Sequence, residues 1–202
     1  EFPAFAELTR PGALTVGETQ RLLNPDEALL LVFVNPEATY IWGLTSDRVE
    51  WARAADLGED ALAASVDRLR ASLTTAGARG DPTLDPALFT GRPVRAYDRA
   101  EAHRLYKALI QPVEAVFEGR TTLITVVSGP LTTLPLAALV TEPPVGDDTA
   151  PEALATTRWL IDRYALATLP SVSSLKALRC HLATGGERHP GCPPQLTGGQ
   201  GQ

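Results

Sequence analysis

Ala28 to Val34 is the longest apolar run of the chain, and the turn-forming Asn24-Pro25-Asp26 precedes it. That pattern predicts a buried strand and falls far short of a membrane span. Asn35-Pro36 makes the next turn, Thr39 to Leu44 alternates around Tyr40, Trp42 and Leu44, and Ser46-Asp47 reverses the chain into Arg48 to Ala52. Three short strands joined by short turns read as an antiparallel meander. Trp42 and Trp51 are expected to pack in its core, where each would bury a large apolar area.

From Glu59 onward the apolar positions change period. Leu62, Val66, Leu69 and Leu73 recur at helical spacing, Asp67, Arg68 and Arg70 occupy other faces, and Gly77 ends the run. Gly80 to Pro93, rich in proline and glycine, reads as a loop or hinge. Asp98 and Glu101 have the spacing of a capping box and predict a second helix, with Ala102, Leu105, Leu109, Val113 and Val116 on its apolar face. Pro112 removes a helix hydrogen bond inside that pattern, so a kink or break is expected near Ile110.

Thr121 to Val127 is a β-branched run that suits a mostly buried strand, and Gly129-Pro130 stops it. Pro135 then sits where a first helical residue is tolerated, giving strand, tight turn, short helix. Val140 to Thr157 carries Pro143-Pro144, Gly146-Asp147-Asp148 and Pro151, a composition that predicts a mobile surface connection with solvated acids. Leu160 to Leu169 reads as the next strand, and Pro170-Ser171 opens a helix through Val172, Leu175 and Leu178.

The series Leu105-Tyr106-Lys107-Ala108-Leu109-Ile110-Gln111-Pro112, then Ser128-Gly129-Pro130, Leu134-Pro135-Leu136-Ala137-Ala138-Leu139 and Trp159-Leu160-Ile161-Asp162-Arg163-Tyr164 resembles the front portion of a CHAT domain. The resemblance spans roughly Leu22 to Arg179. Ser128 stands where that family often has Asp, and Leu136 where it often has Phe. The resemblance implies an α/β, caspase-like half-domain, an antiparallel meander with further strands covered by helices, and a cysteine-peptidase ancestry shared with caspases and separase. It also implies that the family's dyad, a His-x-x-x-His-Gly segment and a later Cys at a strand end, lies beyond the residues present here.

At 202 residues and 44% hydrophobic content, the chain is expected to bury one core. The net charge is −6 and no basic cluster stands out, which argues against phosphate-driven nucleic-acid binding. Nothing at Glu1-Phe2-Pro3-Ala4 reads as a secretory signal, so the expected compartment is the cytoplasm. The two cysteines, Cys180 and Cys192, are too sparse for a disulfide scaffold. The expected organisation is a linker over 1–20 from a preceding region, the CHAT portion over 21–180, and a Gly/Pro-rich disordered tail over 181–202.

Candidate chemistry is thin. Cys180-His181-Leu182-Ala183-Thr184-Gly185-Gly186 superficially resembles the family's histidine segment, but Gly185 stands where the second His belongs. A dyad of His181 with Cys192 would lack the rigid frame a thiolate nucleophile needs. Zinc held by Cys180, His181, His189 and Cys192 fits no common finger spacing. His103 reads as a surface side chain and Asp147-Asp148 as solvated acids rather than a metal site. Glycine-rich phosphate loops and a Gly-x-Ser-x-Gly elbow are absent from the sequence. No catalytic, cofactor-binding or metal-binding residue is assigned, and no cofactor is expected. The expected function is the non-catalytic supporting portion of a cysteine endopeptidase module. The alternative is a protein-interaction scaffold, a pseudo-peptidase, docking through the face around Tyr97 to Phe117. Expected partners are protein or peptide, including a tetratricopeptide repeat domain in the same protein, with no nucleic acid and no membrane.

Overall fold

The computed structural model describes residues 13–77, 96–180 and 189–192. Their backbone is α/β, as expected. Five strands, β1 (Glu27–Val34), β2 (Thr39–Leu44), β3 (Val49–Ala54), β4 (Thr122–Val127) and β5 (Ala165–Thr168), form one mixed sheet in the order β3-β2-β1-β4-β5. The meander is β1 to β3, antiparallel throughout, with Leu31 opposite Trp42 and Trp42 opposite Trp51. β4 lies parallel to β1, with Leu29 opposite Ile124, and β5 parallel to β4. Parallel neighbours require long crossovers, which here are the helices and 3-10 segments between β1 and β4 and between β4 and β5.

Both crossovers cover one face of the sheet. α2 (Glu59–Gly77), α3 (Arg99–Leu109) and the 3-10 segment Gln111–Phe117 bury Leu62, Leu69, Leu105 and Phe117 against Leu30, Val32, Ile41 and Leu123. α3 ends at Leu109 and the backbone tightens before Pro112, the break that proline predicts. Leu105, Leu109, Val113, Val116 and Phe117 are therefore core, while Arg104, Lys107, Gln111, Pro112 and Ala115 stay exposed. Gly43 on β2 lets this cover approach closely, since a Cβ there would meet Val113 and Phe117 at 3.0 Å.

The second face has a smaller cover. α1 (Val16–Arg21) and α5 (Val172–Cys180) pack Leu22, Leu23 and Leu175 on Leu29, Leu44 and Ile124. Within the stretch expected as a linker, Thr15 and Glu18 form a complete capping box that starts α1. Residues 1–12, 78–95, 181–188 and 193–202, which include the expected hinge and most of the expected tail, lie outside the described residues.

Trp51 corrects the expectation of core packing, being 64% exposed, whereas Trp42 is half-buried. The cover of α1 and α5 does not extend over β3, one of the two edges of the sheet among the described residues. Two local readings also change. Leu160 to Leu169 splits into a 3-10 turn, Leu160–Asp162, and the short β5, because Asp162 turns back to accept the Trp159 N–H at 2.9 Å. Beyond Pro135 only a 3-10 turn forms, Leu136–Ala138. Among the described residues, no helix is long and apolar enough to cross a membrane.

Candidate functional site

In open α/β sheets the crevice outside the carboxyl ends of parallel strands is the usual place for a site. Here those ends are Val34 on β1 and Val127 on β4. Ser128 follows β4 directly: its N–H donates to Val32 O at 3.1 Å, and its Oγ accepts the Val34 N–H at 2.9 Å. The hydroxyl thus clips two parallel strand ends together. Gly129 turns the chain with φ +60°, a conformation that strains any side chain, and a Cβ there would stand 3.4 Å from Val34 Cβ. On the other side, Asn35 O accepts the Glu59 N–H of α2 at 3.0 Å. The Thr132 and Thr133 hydroxyls in the turn that follows are likewise committed, to Gly129 O and Pro130 O.

The residues singled out for chemistry are scattered. His103 is half-buried rather than on the surface, with Nδ1 2.9 Å from Val140 O and its ring stacked on Tyr106 at 6.0 Å. Cys180 and Cys192 are bonded to each other as a disulfide, with Cα atoms 5.6 Å apart. One such bond is no disulfide scaffold, but it removes both sulfurs from any dyad or zinc set. His189 lies beside it, Nε2 3.1 Å from Asn24 Oδ1 and Nδ1 accepting the Gly191 N–H. Burial, and then the Arg179 guanidinium, hold its pKa below the ordinary imidazole value. His181 lies outside the described residues.

Three charged networks fix the frame, and none was read from the sequence. Arg99, 1% exposed, donates from Nε to Asp148, from one terminal nitrogen to Ala153 O (2.8 Å) and Thr157 Oγ1 (3.0 Å), and from the other to Val145 O (3.1 Å) and Gly146 O (2.9 Å). All the donors of the guanidinium are occupied. Residues 145–157 therefore wrap a buried cation, with α4 (Pro151–Ala155) inside the wrap, which corrects the mobile-connection reading and the solvated reading of Asp148. Asp147 does face solvent, where the N–H and hydroxyl of Thr149 lower its pKa.

Glu101 supplies only half of the expected capping box. Asp98 accepts the Glu101 N–H at 2.9 Å, but the Glu101 carboxylate turns to Arg104, both oxygens at 2.7–2.8 Å, and to Arg68 on α2 at 3.7 Å. The Arg104 hydrogen bonds, outweighing burial, hold this carboxyl at a pKa of about 2. The third network joins the Tyr106 hydroxyl to Glu114, whose other oxygen takes Arg163 at 2.7 Å. Burial and Glu114 raise the phenol's pKa well above its ordinary value, so it remains a proton donor.

These networks tie crossover segments to one another. The sequence matches the family model described as CHAT domain over residues 99–188, from the start of α3 through α5. The meander and α2 precede the matched span. None of the curated proteins matches the chain.

Proposed function

Residues 99–188 belong to the CHAT domain family, a caspase-like, peptidase-related family, and from that premise we propose that this chain is the supporting portion of a cysteine endopeptidase module and cuts nothing by itself. The reacting His and Cys come, in this reading, from outside these 202 residues. One observation carries it: the sequence has two cysteines, and their sulfurs are bonded to each other. A peptidase nucleophile must be a thiolate with a base within reach. His103, the histidine held in the folded core, has its Nδ1 on Val140 O and lies on the sheet face opposite Cys180.

The partner in this reading is protein: the catalytic half, with a tetratricopeptide repeat domain of the same protein as regulator. The cytoplasm is the proposed compartment. Because cytosolic thiols are kept reduced, the redox state of Cys180 and Cys192 in the cell tests that placement directly.

The reading is tested by incubating the purified chain with a peptide-library substrate and a thiol-directed peptidase probe, with and without reductant, beside Cys180→Ala and Cys192→Ala. The expected result is no cleavage above that of the variants. Peptide cleavage that either substitution abolishes would refute it. A pseudo-peptidase scaffold is the second reading, and the apolar sheet region left open at Trp51 and Phe33 favours it. Reading the gene for a His-Gly segment and a later strand-end Cys after Gln202 separates the two.

A further inference from the structure

We propose that β3 is a self-association edge, and that two copies of this chain pair antiparallel through it about a two-fold axis at Ala52, joining their five-stranded sheets into one. Among the described residues no strand covers the outer side of β3. Natural edge strands protect themselves with charged side chains, proline or bulges, and of these β3 has only Glu50 and Arg53. β3, Val-Glu-Trp-Ala-Arg-Ala, has no proline and pairs with β2 without a bulge from Thr39–Ala54 to Leu44–Val49. It presents Val49 and Trp51, 45% and 64% exposed, on the face that α1 and α5 leave open.

Register follows from the hydrogen-bond alternation of an antiparallel ladder. The Thr45 N–H donates to Arg48 O at 2.9 Å, so Glu50, Ala52 and Ala54 turn their N–H and C=O groups toward β2. Val49, Trp51 and Arg53 turn theirs outward. A second β3 must bond to those outward groups, which restricts the pairing to a few registers.

Centring on Glu50 or Arg53 sets that charge against its own copy. Centring on Trp51 places Arg53 opposite Val49 and leaves the charges unmatched. Centring on Ala52 places Trp51 of each copy opposite Arg53 of the other; the exposed Asp56, in the turn that Leu57 N–H closes on Ala54 O, then faces the long Arg48 side chain at the other copy's hairpin turn rather than continuing the ladder. Every charge then meets an opposite or neutral neighbour. Arg53 already lies 5.9 Å from the Tyr40 ring, so its guanidinium would sit between Tyr40 and the second copy's Trp51 as a cation between aromatic faces. Arg48 can turn toward the second copy, since its own contact with Glu50 is 4.0 Å long and both side chains are about half exposed. The pairing is isologous and closes at two copies.

The test is sedimentation equilibrium on the full chain. The native chain is expected to be a dimer at about 100 µM, and Arg48→Asp and Asp56→Arg each to weaken self-association at least about tenfold by turning two attractions into repulsions. Mixing the two variants in equal amounts restores a dimer, because both contacts between positions 48 and 56 then pair opposite charges again. Trp51→Thr also weakens association, while circular dichroism shows each monomer still folded. A native chain that stays monomeric, a dimer that none of the three substitutions weakens, or variants that fail to complement each other would each overturn the proposal.

Discussion

Arg99→Met tests whether residues 145–157 are folded around a cation. Arg99 is nearly volume-matched by methionine but loses its donors to Asp148, Val145 O, Gly146 O, Ala153 O and Thr157 Oγ1. Asp148 is 31% exposed and can be hydrated once alone, and Thr157 Oγ1 keeps its own 2.7 Å bond to Ala153 O, so the losses do not simply add. Breaking a buried pair by removing one partner costs about 3–5 kcal/mol, and the retained contacts put this case near the lower end, about 3 kcal/mol. That is a large share of the roughly 5–15 kcal/mol that holds a domain together. Urea unfolding should show a lower midpoint with an unchanged slope. Hydrogen exchange should show lost protection at the Thr156 and Thr157 amides, whose bonds run to Glu152 O and Leu154 O. Asp148→Asn leaves the buried guanidinium its neutral acceptors but no counter-charge, and should cost about 2 kcal/mol. An Arg99→Met loss under about 1 kcal/mol, or one smaller than that of Asp148→Asn, would refute the wrapped-cation account.

Glu101→Gln should flatten the acid limb of the stability curve. The folded carboxyl titrates at about 2 against an ordinary 4.5, so its contribution is complete above the ordinary value and is lost as pH falls toward 2; unfolding free energies of native and variant chains should differ by roughly 1–3 kcal/mol at pH 6 and converge near pH 2. Replacing Cys180 and Cys192 together by serine opens a loop with a sequence separation of 12, which by loop-closure entropy should cost about 3 kcal/mol, read as a lower melting temperature that reductant no longer changes. Gly129→Ala should cost about 1–2 kcal/mol in urea unfolding, because φ +60° forces a side chain into the left-handed region beside Val34.

What was legible in the sequence was local. The apolar run of β1, the alternation of β2, the helical period of α2 and the break at Pro112 each depend on a few neighbouring residues, and the structure has all of them. The Thr15 and Glu18 box was equally local, hidden by the Pro, Gly and Thr around it. Arg99 was not legible because one arginine reads as surface, and its acceptors lie 46 to 58 positions away. The exposure of Trp51 depends on how far α1 and α5 reach over the sheet, and no period along β3 encodes that. The strand-end site was legible as a turn at Ser128-Gly129-Pro130, whereas the use of the Ser128 hydroxyl on Val34 was not, because it joins strands 94 positions apart.

The unequal covers of the sheet connect these observations. The face under α2 and α3 is held by a continuous apolar core, while the other face depends on α1 and α5, each too short to be stable by itself. Their smaller apolar cluster is reinforced by discrete ties: the disulfide, the Arg179–Glu27 ion pair, and Gln20 Nε2 donating to Thr45 O and Arg48 O at 3.1 and 3.2 Å. Those ties gather at the end of the sheet where β1 begins and the β2–β3 hairpin turns, and the opposite end, at Phe33, stays open. Loosening the cover therefore frees the hairpin turn only from Gln20. The register of β3 is set by its own ladder with β2, from Thr39–Ala54 to Leu44–Val49, and by the 3-10 segment Gln111–Phe117 packed on the other face. An edge fixed in that way keeps its pattern of outward groups whether or not the disulfide is closed, so self-association through β3 and the redox state of the cysteines are separable properties of one fold.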